Sequence, residues 1–468
     1  MKKGFKKMIA ISLAMCIFLP FAAIASAAGA DAGNDFRIVS PYEEVVWTGE
    51  NAWGAYKGNL HTHSFVSDAE VDYRDMILEY YNQGFDFLAM TDHGVTGKAW
   101  NEKPTELPLY LYQRVVGHTV HYFTDEEYNA IQNGTYPVDG HARGRGLICV
   151  TGGNELNALT VSKDHVNAIF LPEHAGDNYL GYENDYEGAV RLAKTYGAPC
   201  FINHPGDWLN SNADRANCSD PDKIAYFADI LLRYDNCLGM EVFNEHNGTT
   251  GYDRDTWDNL LMACLPYGKR VIGFSNGDTH FLRDVDSSYS VFMMEENTPE
   301  NVRKTMESGA FFMVTRVIRK DTEKFGPEED MDVRDSGLPY PMFSNIQIDG
   351  HKITVEYKNA DDIRWVANGN VIDKAAVADS TEPASYTIDL DTIDGAEDFL
   401  YVRCQIMGKG GITLTQAFVI DNGTGKPVYE RDNSPAAVAA RRMRQFLSLR
   451  IFVIFKKLWT LLVDSISR

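Results

Sequence analysis

The chain predicts an α/β fold of barrel type followed by a small all-β domain, and three observations carry that reading. Between Tyr56 and Thr315, apolar runs of strand length recur, most of them preceded by an amphipathic helix and a glycine stop, in about seven units. Residues able to hold a metal stand at or just after the ends of several of these runs. From about Gly337 the pattern changes to apolar–polar alternation broken by glycine-centred turns, the mark of half-buried strands.

The first residues belong to neither unit. Lys2, Lys3, Lys6 and Lys7, the apolar run Met8 to Ala23 and the small residues Ala25-Ser26-Ala27 make residues 1–28 a secretory signal, so the protein is expected outside the cytoplasm, whether periplasmic, extracellular or at the cell surface. At 468 residues the chain is too long for one ordinary core, and 44% hydrophobic residues suffice to build more than one. The net charge of −22 divides into +4 over residues 1–30, +6 over 441–468 and −32 between them. So acidic a body repels a polyphosphate backbone, and nucleic acid is not an expected partner. Six cysteines follow the signal without any Cys-x-x-Cys spacing, which argues against thiolate metal sites; Cys149 and Cys200 read as small core residues, and a Cys218–Cys237 disulfide is one option.

Within the repeated unit, Asp72 caps a helix whose apolar positions are Met76, Ile77, Tyr80 and Tyr81, and Gly84 stops it before the run Phe85 to Met90. Leu147 to Val150 and Val166 to Phe170 are the next apolar runs. Further helices near 186–196, 223–234, 257–265 and 299–308 lead to the runs at Cys200-Phe201-Ile202, Met240 to Asn244, Val271 to Phe274 and Phe311 to Thr315. In a barrel of such units, the loops after the strands converge on one face. His61, His63, His93, Glu155, His204, Asp278 and His280 all sit at or after a strand end, so the fold would bring them together. His61 and His63, at i and i+2 on extended backbone, point the same way and suit one cation.

At these residues the chain resembles the PHP (polymerase and histidinol phosphatase) metallohydrolase family. The resemblance rests on His61-Thr62-His63-Ser64 with Asp68, Thr91-Asp92-His93, Glu155 with His165, Asn203-His204-Pro205 and Gly277-Asp278-Thr279-His280. It implies a distorted (β/α)7 barrel over 34–325 holding two or three divalent ions. By that resemblance His61, His63 and Asp278 bind the first ion, Glu155 bridges to a second completed by His165 and His204, and Asp68, His93 and His280 make a third. His174 and His246 compete with His165 for its place. Imidazole and carboxylate donors suit zinc, manganese or iron alike. Closely spaced ions that activate water and neutralise charge suit hydrolysis of a phosphate ester, with Asp92 as candidate for orientation or proton transfer. The alternatives are carboxylic or carbamic ester hydrolysis on the same scaffold and a metal-binding surface protein without catalysis.

The insertion Lys98 to Gly146 would overhang the active face, and Arg143 or Arg145 is the candidate phosphate clamp for a small ester substrate. Residues 337–425 are read as a β-sandwich accessory domain, with the runs Phe399 to Ile406 and Ile412 to Ile420 pairing across Gly408 to Gly411. Residues 433–468 form a linker and a basic amphipathic tail, its helix from Leu447 to Val463 suited to peripheral contact with an anionic membrane and too charged to span one.

Overall fold

The computed structural model describes residues 36–105, 118–157, 163–179, 186–211, 213–244, 251–318, 331–332, 337–377 and 381–448. The expected signal over 1–28, His246 and nearly all of the expected tail helix lie outside them. No helix of the described residues is long and apolar enough to cross a membrane.

The α/β part contains β1 (Arg37–Val39), β2 (Gly54–Asn59), α1 (Tyr73–Asn82), β3 (Phe87–Leu88), β4 (Ile148–Cys149), β5 (Asn154–Leu156), β6 (Val166–Ala168), α2 (Tyr186–Thr195), β7 (Cys200–Ile202), α3 (Pro221–Arg233), β8 (Cys237–Asn244), α4 (Asp253–Cys264), β9 (Ile272–Asn276), β10 (Ser288–Met294), α5 (Pro299–Ser308) and β11 (Phe311–Thr315). Local chemistry sets the helix ends. Asp72 accepts from the Arg74 amide at the start of α1, Asp220 caps α3 ahead of a proline, and Thr298 does the same for α5. Gly309 ends α5 with φ +81°, a conformation that costs glycine little. The apolar faces of the helices go inward: Met76, Ile77, Tyr80 and Tyr81 of α1 are buried, as are Ile224, Phe227, Ile230 and Leu231 of α3.

The all-β part adds β12 (Met342–Asp349), β13 (Lys352–Lys358), β14 (Asp362–Ala367), β15 (Asn370–Ala376), β16 (Ala384–Asp389), β17 (Tyr401–Gly408), β18 (Gly411–Leu414) and β19 (Phe418–Asp421). One sheet runs β1-β19-β17-β18-β11-β10-β2-β3-β4, with β14 on β17 and β15 on β14; a second runs β9-β8-β7-β6-β5; a third is β12-β13-β16. Buried Phe343, Ile353, Val355 and Tyr357 of the three-stranded sheet share a core with Trp365, Val402, Cys404 and Phe418 of the first. β17 and β18 form the expected hairpin around Gly408 to Gly411, whereas the run Ile412 to Ile420 is interrupted at Thr415 to Ala417.

The molecule is a mixed α/β structure of several sheets, and among the described residues no closed hydrogen-bonded barrel is present. The expected parallel order holds for β2-β3-β4 and β7-β8-β9, but β6 runs antiparallel to both of its neighbours and β10 to both of its own. The circuit opens because side chains replace backbone partners along β9. Gln416 accepts from the Gly273 amide (2.9 Å) and donates to the Gly273 carbonyl (2.6 Å), and the Ser290 hydroxyl serves the Ser275 amide and carbonyl (3.2 and 3.0 Å). At the ligand-bearing ends the two larger sheets are joined by single parallel bridges, Thr62 to Thr279 and His93 to Glu155. Between the sheets lie the rings of Phe87, Phe201, Phe274, Phe292 and Phe311, all fully buried. Gly58 makes room for them, since a Cβ there would fall 2.0 Å from the Phe87 ring.

The two parts are joined by backbone and by charge. β11 pairs with β18 from Met313–Leu414 to Thr315–Ile412, so one sheet passes from the α/β part into the all-β part. Beside this seam the Arg403 guanidinium of β17 meets the Asp258 carboxylate of α4 twice (2.8 and 2.9 Å), and the Tyr401 hydroxyl donates to the same carboxylate (2.7 Å).

Candidate metal centre

The structure gathers eight of the singled-out residues about a ninth, Glu155. His61 follows β2, and its Nε2 lies 3.2 Å from Glu155 Oε2 and 3.1 Å from Asp278 Oδ1. His63 Nε2 stands 3.0 Å from each of those two oxygens, so two imidazoles and two carboxylates face one point. Around the other side of Glu155, His93 Nδ1 is 3.3 Å from Oε2, His165 Nδ1 2.9 Å from Oε1 and His204 Nε2 3.3 Å from Oε1. Asp68 gathers the rest, with His63 Nδ1 and His93 Nε2 at 3.5 Å and His280 Nε2 at 3.4 Å.

His165 arrives by a different route from the others. It precedes β6, and only because that strand runs antiparallel does its first end meet the last ends of its neighbours; the Asn203 amide donates to the His165 carbonyl (3.1 Å). His174, the described competitor, is exposed and paired with Asp177 instead. The three donor groups differ from the expected partition in that neither His204 nor His280 belongs to any of them, His93 also joins Glu155 and His165, and His63 also joins Asp68 and His93. A neutral imidazole has one lone-pair nitrogen, so each of these two rings serves one group at a time.

The donor atoms are buried and poorly satisfied. His61 Nε2, His63 Nε2, His93 Nδ1 and Asp278 Oδ1 have no hydrogen-bond partner even though oppositely charged atoms lie close by. Their contacts are short but lack N–H···O alignment, the arrangement of lone pairs that share a target instead of facing each other. A mixed imidazole and carboxylate set with orphaned atoms fits a divalent ion of the zinc, manganese or iron type. Burial by itself would lower the His61 and His63 pKa values. Asp278 and Glu155 nonetheless raise both well above the ordinary imidazole range, aided at His61 by Glu241 and at His63 by Asp68. His204 is raised to about 9, against its burial, by Glu155 and Asp278. Conversely Glu155 and Asp68, although desolvated, are held well below the usual carboxylate range, with His93 the leading charge in each case. His165 differs from His61, His63 and His204 in having its pKa lowered, because burial outweighs Glu155.

Backbone strain collects at the same place. His204 has φ +25° and Asp278 φ +44°, conformations that cost a non-glycine residue about 1–3 kcal/mol and persist only where the surroundings impose them. Gly277 precedes Asp278 where a Cβ would meet the Thr279 hydroxyl at 2.4 Å. The buried Tyr80 hydroxyl braces this junction, contacting both Thr62 (2.9 Å) and Thr279 (2.7 Å).

Two positioning carboxylates stand behind the donors. Asp92 accepts from the Ser64 amide (2.7 Å) and from the Ser64 and Ser67 hydroxyls, which locks the turn leading to Asp68. Burial raises its pKa. Glu241 is the residue that sequence reasoning missed. Its Oε1 accepts from His61 Nδ1 (2.8 Å), and its Oε2 accepts from the His204 amide (3.1 Å) and from Asn244 (2.8 Å). By holding the proton on Nδ1 it leaves His61 Nε2 free to face the donor group. The signal was a lone acid inside the apolar run Met240-Glu241-Val242, fully buried in β8.

Arg143 and Arg145 do not join the site. Arg143 donates to the Phe85 carbonyl (2.5 Å) and lies over the Tyr81 ring, and both arginines pair with Asp86. Phe85 and Asp86 precede β3 while Asp92 and His93 follow it, so these guanidiniums belong to the opposite end of the strand.

No family model and no curated protein matches the chain. Among solved structures it is similar to a two-domain protein from Bacteroides vulgatus ATCC 8482 containing a predicted PHP-like metal-dependent phosphoesterase, with 17% identity and a TM-score of 0.39 over 83% of this chain and 100% of that one. What the geometry provides is a buried cluster of histidines, glutamate and aspartates able to hold metal ions.

Proposed function

We propose that this protein is an exported metal-dependent hydrolase that cleaves a phosphate ester, with the α/β part over 34–325 as a distorted (β/α)7-type catalytic domain and 337–425 as its accessory β domain. One observation carries the reading: the Glu155 carboxylate is shared among five imidazoles while buried donor atoms around it lack hydrogen-bond partners. His61, His63, Glu155 and Asp278 would hold one ion, His93 or His204 with Glu155 and His165 a second, and Asp68 with His280 and one further ring a third. Bound divalent ions supply activation of water near neutral pH and neutralisation of charge on the phosphoryl oxygens.

The chain's own groups prepare that chemistry. Glu241 keeps the His61 proton on Nδ1, and Asp92 holds Ser64 and Ser67 so that His63 and Asp68 keep their places. Burial of His61, His63, His93, Glu155, His165, His204 and Asp278 strengthens their electrostatic contacts, while Asp68 and His280 are partly exposed. A carboxylic or carbamic ester substrate is the second reading, favoured by the commitment of Arg143 and Arg145 to Asp86, which leaves neither free as a phosphate clamp. Peripheral membrane contact through the basic tail belongs to the proposal as well.

Metal analysis of the purified protein, combined with a panel of phosphomonoesters, phosphodiesters and carboxylic esters, tests the reading. Two or three equivalents of metal and release of inorganic phosphate or an alcohol from a phosphoester are expected. His61→Ala and Asp278→Ala are each expected to lose metal and turnover together. Release of acid from carboxylic esters alone selects the second reading, and stoichiometric metal with no hydrolysis of any ester rejects both.

A further inference from the structure

Outside the metal centre, the six described cysteines are all buried thiols, and two of them face each other. Cys200 opens β7 and Cys237 opens β8; the strands are parallel neighbours, and the register sets Cys237 directly against Cys200. Neighbouring strands stand about 4.8 Å apart, inside the Cα separation of about 4.4–6.8 Å that a disulfide spans. Asn236 Nδ2 reaches Cys200 Sγ at 3.4 Å. Lys269 Nζ donates to the Cys237 carbonyl (2.7 Å). Cys218, the partner weighed for Cys237 on sequence grounds, lies elsewhere, its carbonyl held by Asn259 (3.0 Å) of α4.

We propose that Cys200 and Cys237 are a redox pair that closes into a cross-strand disulfide, stapling β7 to β8 at the end opposite the metal centre. Further along the same two strands, His204 follows β7 by two residues and Glu241 stands within β8, and the His204 amide donates to Glu241. The staple therefore fixes the strand pairing on which that contact depends. In the folded chain the neighbouring Cys200 thiol and Lys269 lower the Cys237 pKa against the effect of burial.

The oxidant is a small-molecule or protein disulfide. The Cys237 thiolate attacks one of its sulfurs and expels the first thiol. The Cys200 thiolate then attacks Cys237 Sγ, forms the internal bond and expels the second thiol. Two protons leave the cysteines and two electrons pass to the oxidant, which ends as two thiols. Since both cysteines are fully buried in the folded chain, the exchange belongs to folding, before the strand ends are covered.

The test is a peptide map of the full chain refolded either in a mixture of oxidised and reduced glutathione or in dithiothreitol, alkylated under denaturing conditions and digested with trypsin without reduction. Cys200 falls in the fragment 195–215 and Cys237 in 234–254, and neither fragment holds another cysteine. A linked 195–215/234–254 species after glutathione refolding, absent after dithiothreitol and accompanied by a rise in Tm of about 5 °C, is the expected result. The rise should disappear in Cys237→Ser and persist in Cys264→Ser. Full alkylation of both fragments under either condition, or linkage of either to Cys218 or Cys264, overturns the proposal. If Cys237→Ser does not fold, the map of the unaltered chain still decides.

Discussion

Two buried ionic clusters in this molecule use similar groups to opposite effect. At the seam between the two parts, Asp258 and Arg403 are 1% and 0% exposed, and each is satisfied: the guanidinium is gripped at two points, Tyr401 fills a remaining lone pair, and Gln405 takes another donor. At the strand ends, Glu155 is just as buried and accepts from Asn203 and His204, yet His61 Nε2, His63 Nε2, His93 Nδ1 and Asp278 Oδ1 beside it have no hydrogen-bond partner and two backbone positions are strained. Burial with every lone pair answered makes a joint. Burial with unanswered lone pairs converging on one point makes a site able to hold a cation.

The sharpest way to break this contrast is at the seam. Asp258→Ala removes the partner of a fully buried guanidinium and should destabilise the fold by about 3–5 kcal/mol. Denaturant unfolding reads that loss, while metal content and turnover per folded molecule should be unchanged. A loss of metal from folded Asp258→Ala protein would mean that the two clusters are not separable.

Glu241→Gln probes the other cluster with a smaller change. The amide keeps the shape but no longer fixes the His61 tautomer, so metal affinity should fall by about 10–100-fold. Competition with a chromogenic chelator measures it, and an unaltered affinity would reduce Glu241 to a packing residue.

The smallest effect is a pH trend whose direction depends on metal. Without metal, the raised pKa values of His61, His63 and His204 give a stabilisation that is fully present below about pH 6.5 and lost as pH rises, through about 9 for His204. His165, with its lowered pKa, works in the opposite direction. The depressed carboxylates Asp68, Glu155 and Asp278 give a contribution that is present above about pH 4 and lost on acidification. Chelator-treated protein should therefore lose Tm between pH 6.5 and 9. With metal supplied, binding requires deprotonated imidazoles and its stabilisation grows over the same interval. Parallel melting curves with and without metal check this, and identical trends would sink it.

How much of this was legible in the sequence differs by residue. The convergence of His61, His63, His93, Glu155, His204, Asp278 and His280 followed from one rule, that residues after strand ends meet, and the structure brings them together. Their service as ligands remains the proposal. His165 was harder to place, because a residue before a strand reaches the same face only if that strand is reversed, and apolar content does not encode direction. Glu241 was hidden because a carboxylate inside an apolar strand carries no motif. Arg143 and Arg145 were assigned to the wrong end of β3, since the path of a long insertion is not written in its composition. Closure of the barrel was expected from about seven recurring units of apolar run and helix. What that count could not contain is that the side chains of Gln416 and Ser290 would take backbone-partner positions along β9.

That substitution at β9 bears on modularity. Cutting the chain near residue 337 looks harmless on a linear map, since the pattern changes there. In three dimensions the cut would remove the amide that completes Gly273, the strand that pairs with Met313 to Thr315 and the guanidinium that neutralises Asp258. Asp278 follows β9 by two residues. The all-β part is thus not an appendage to be trimmed before assay, and a shortened protein that proves inactive would report on a broken edge, not on the chemistry of the site.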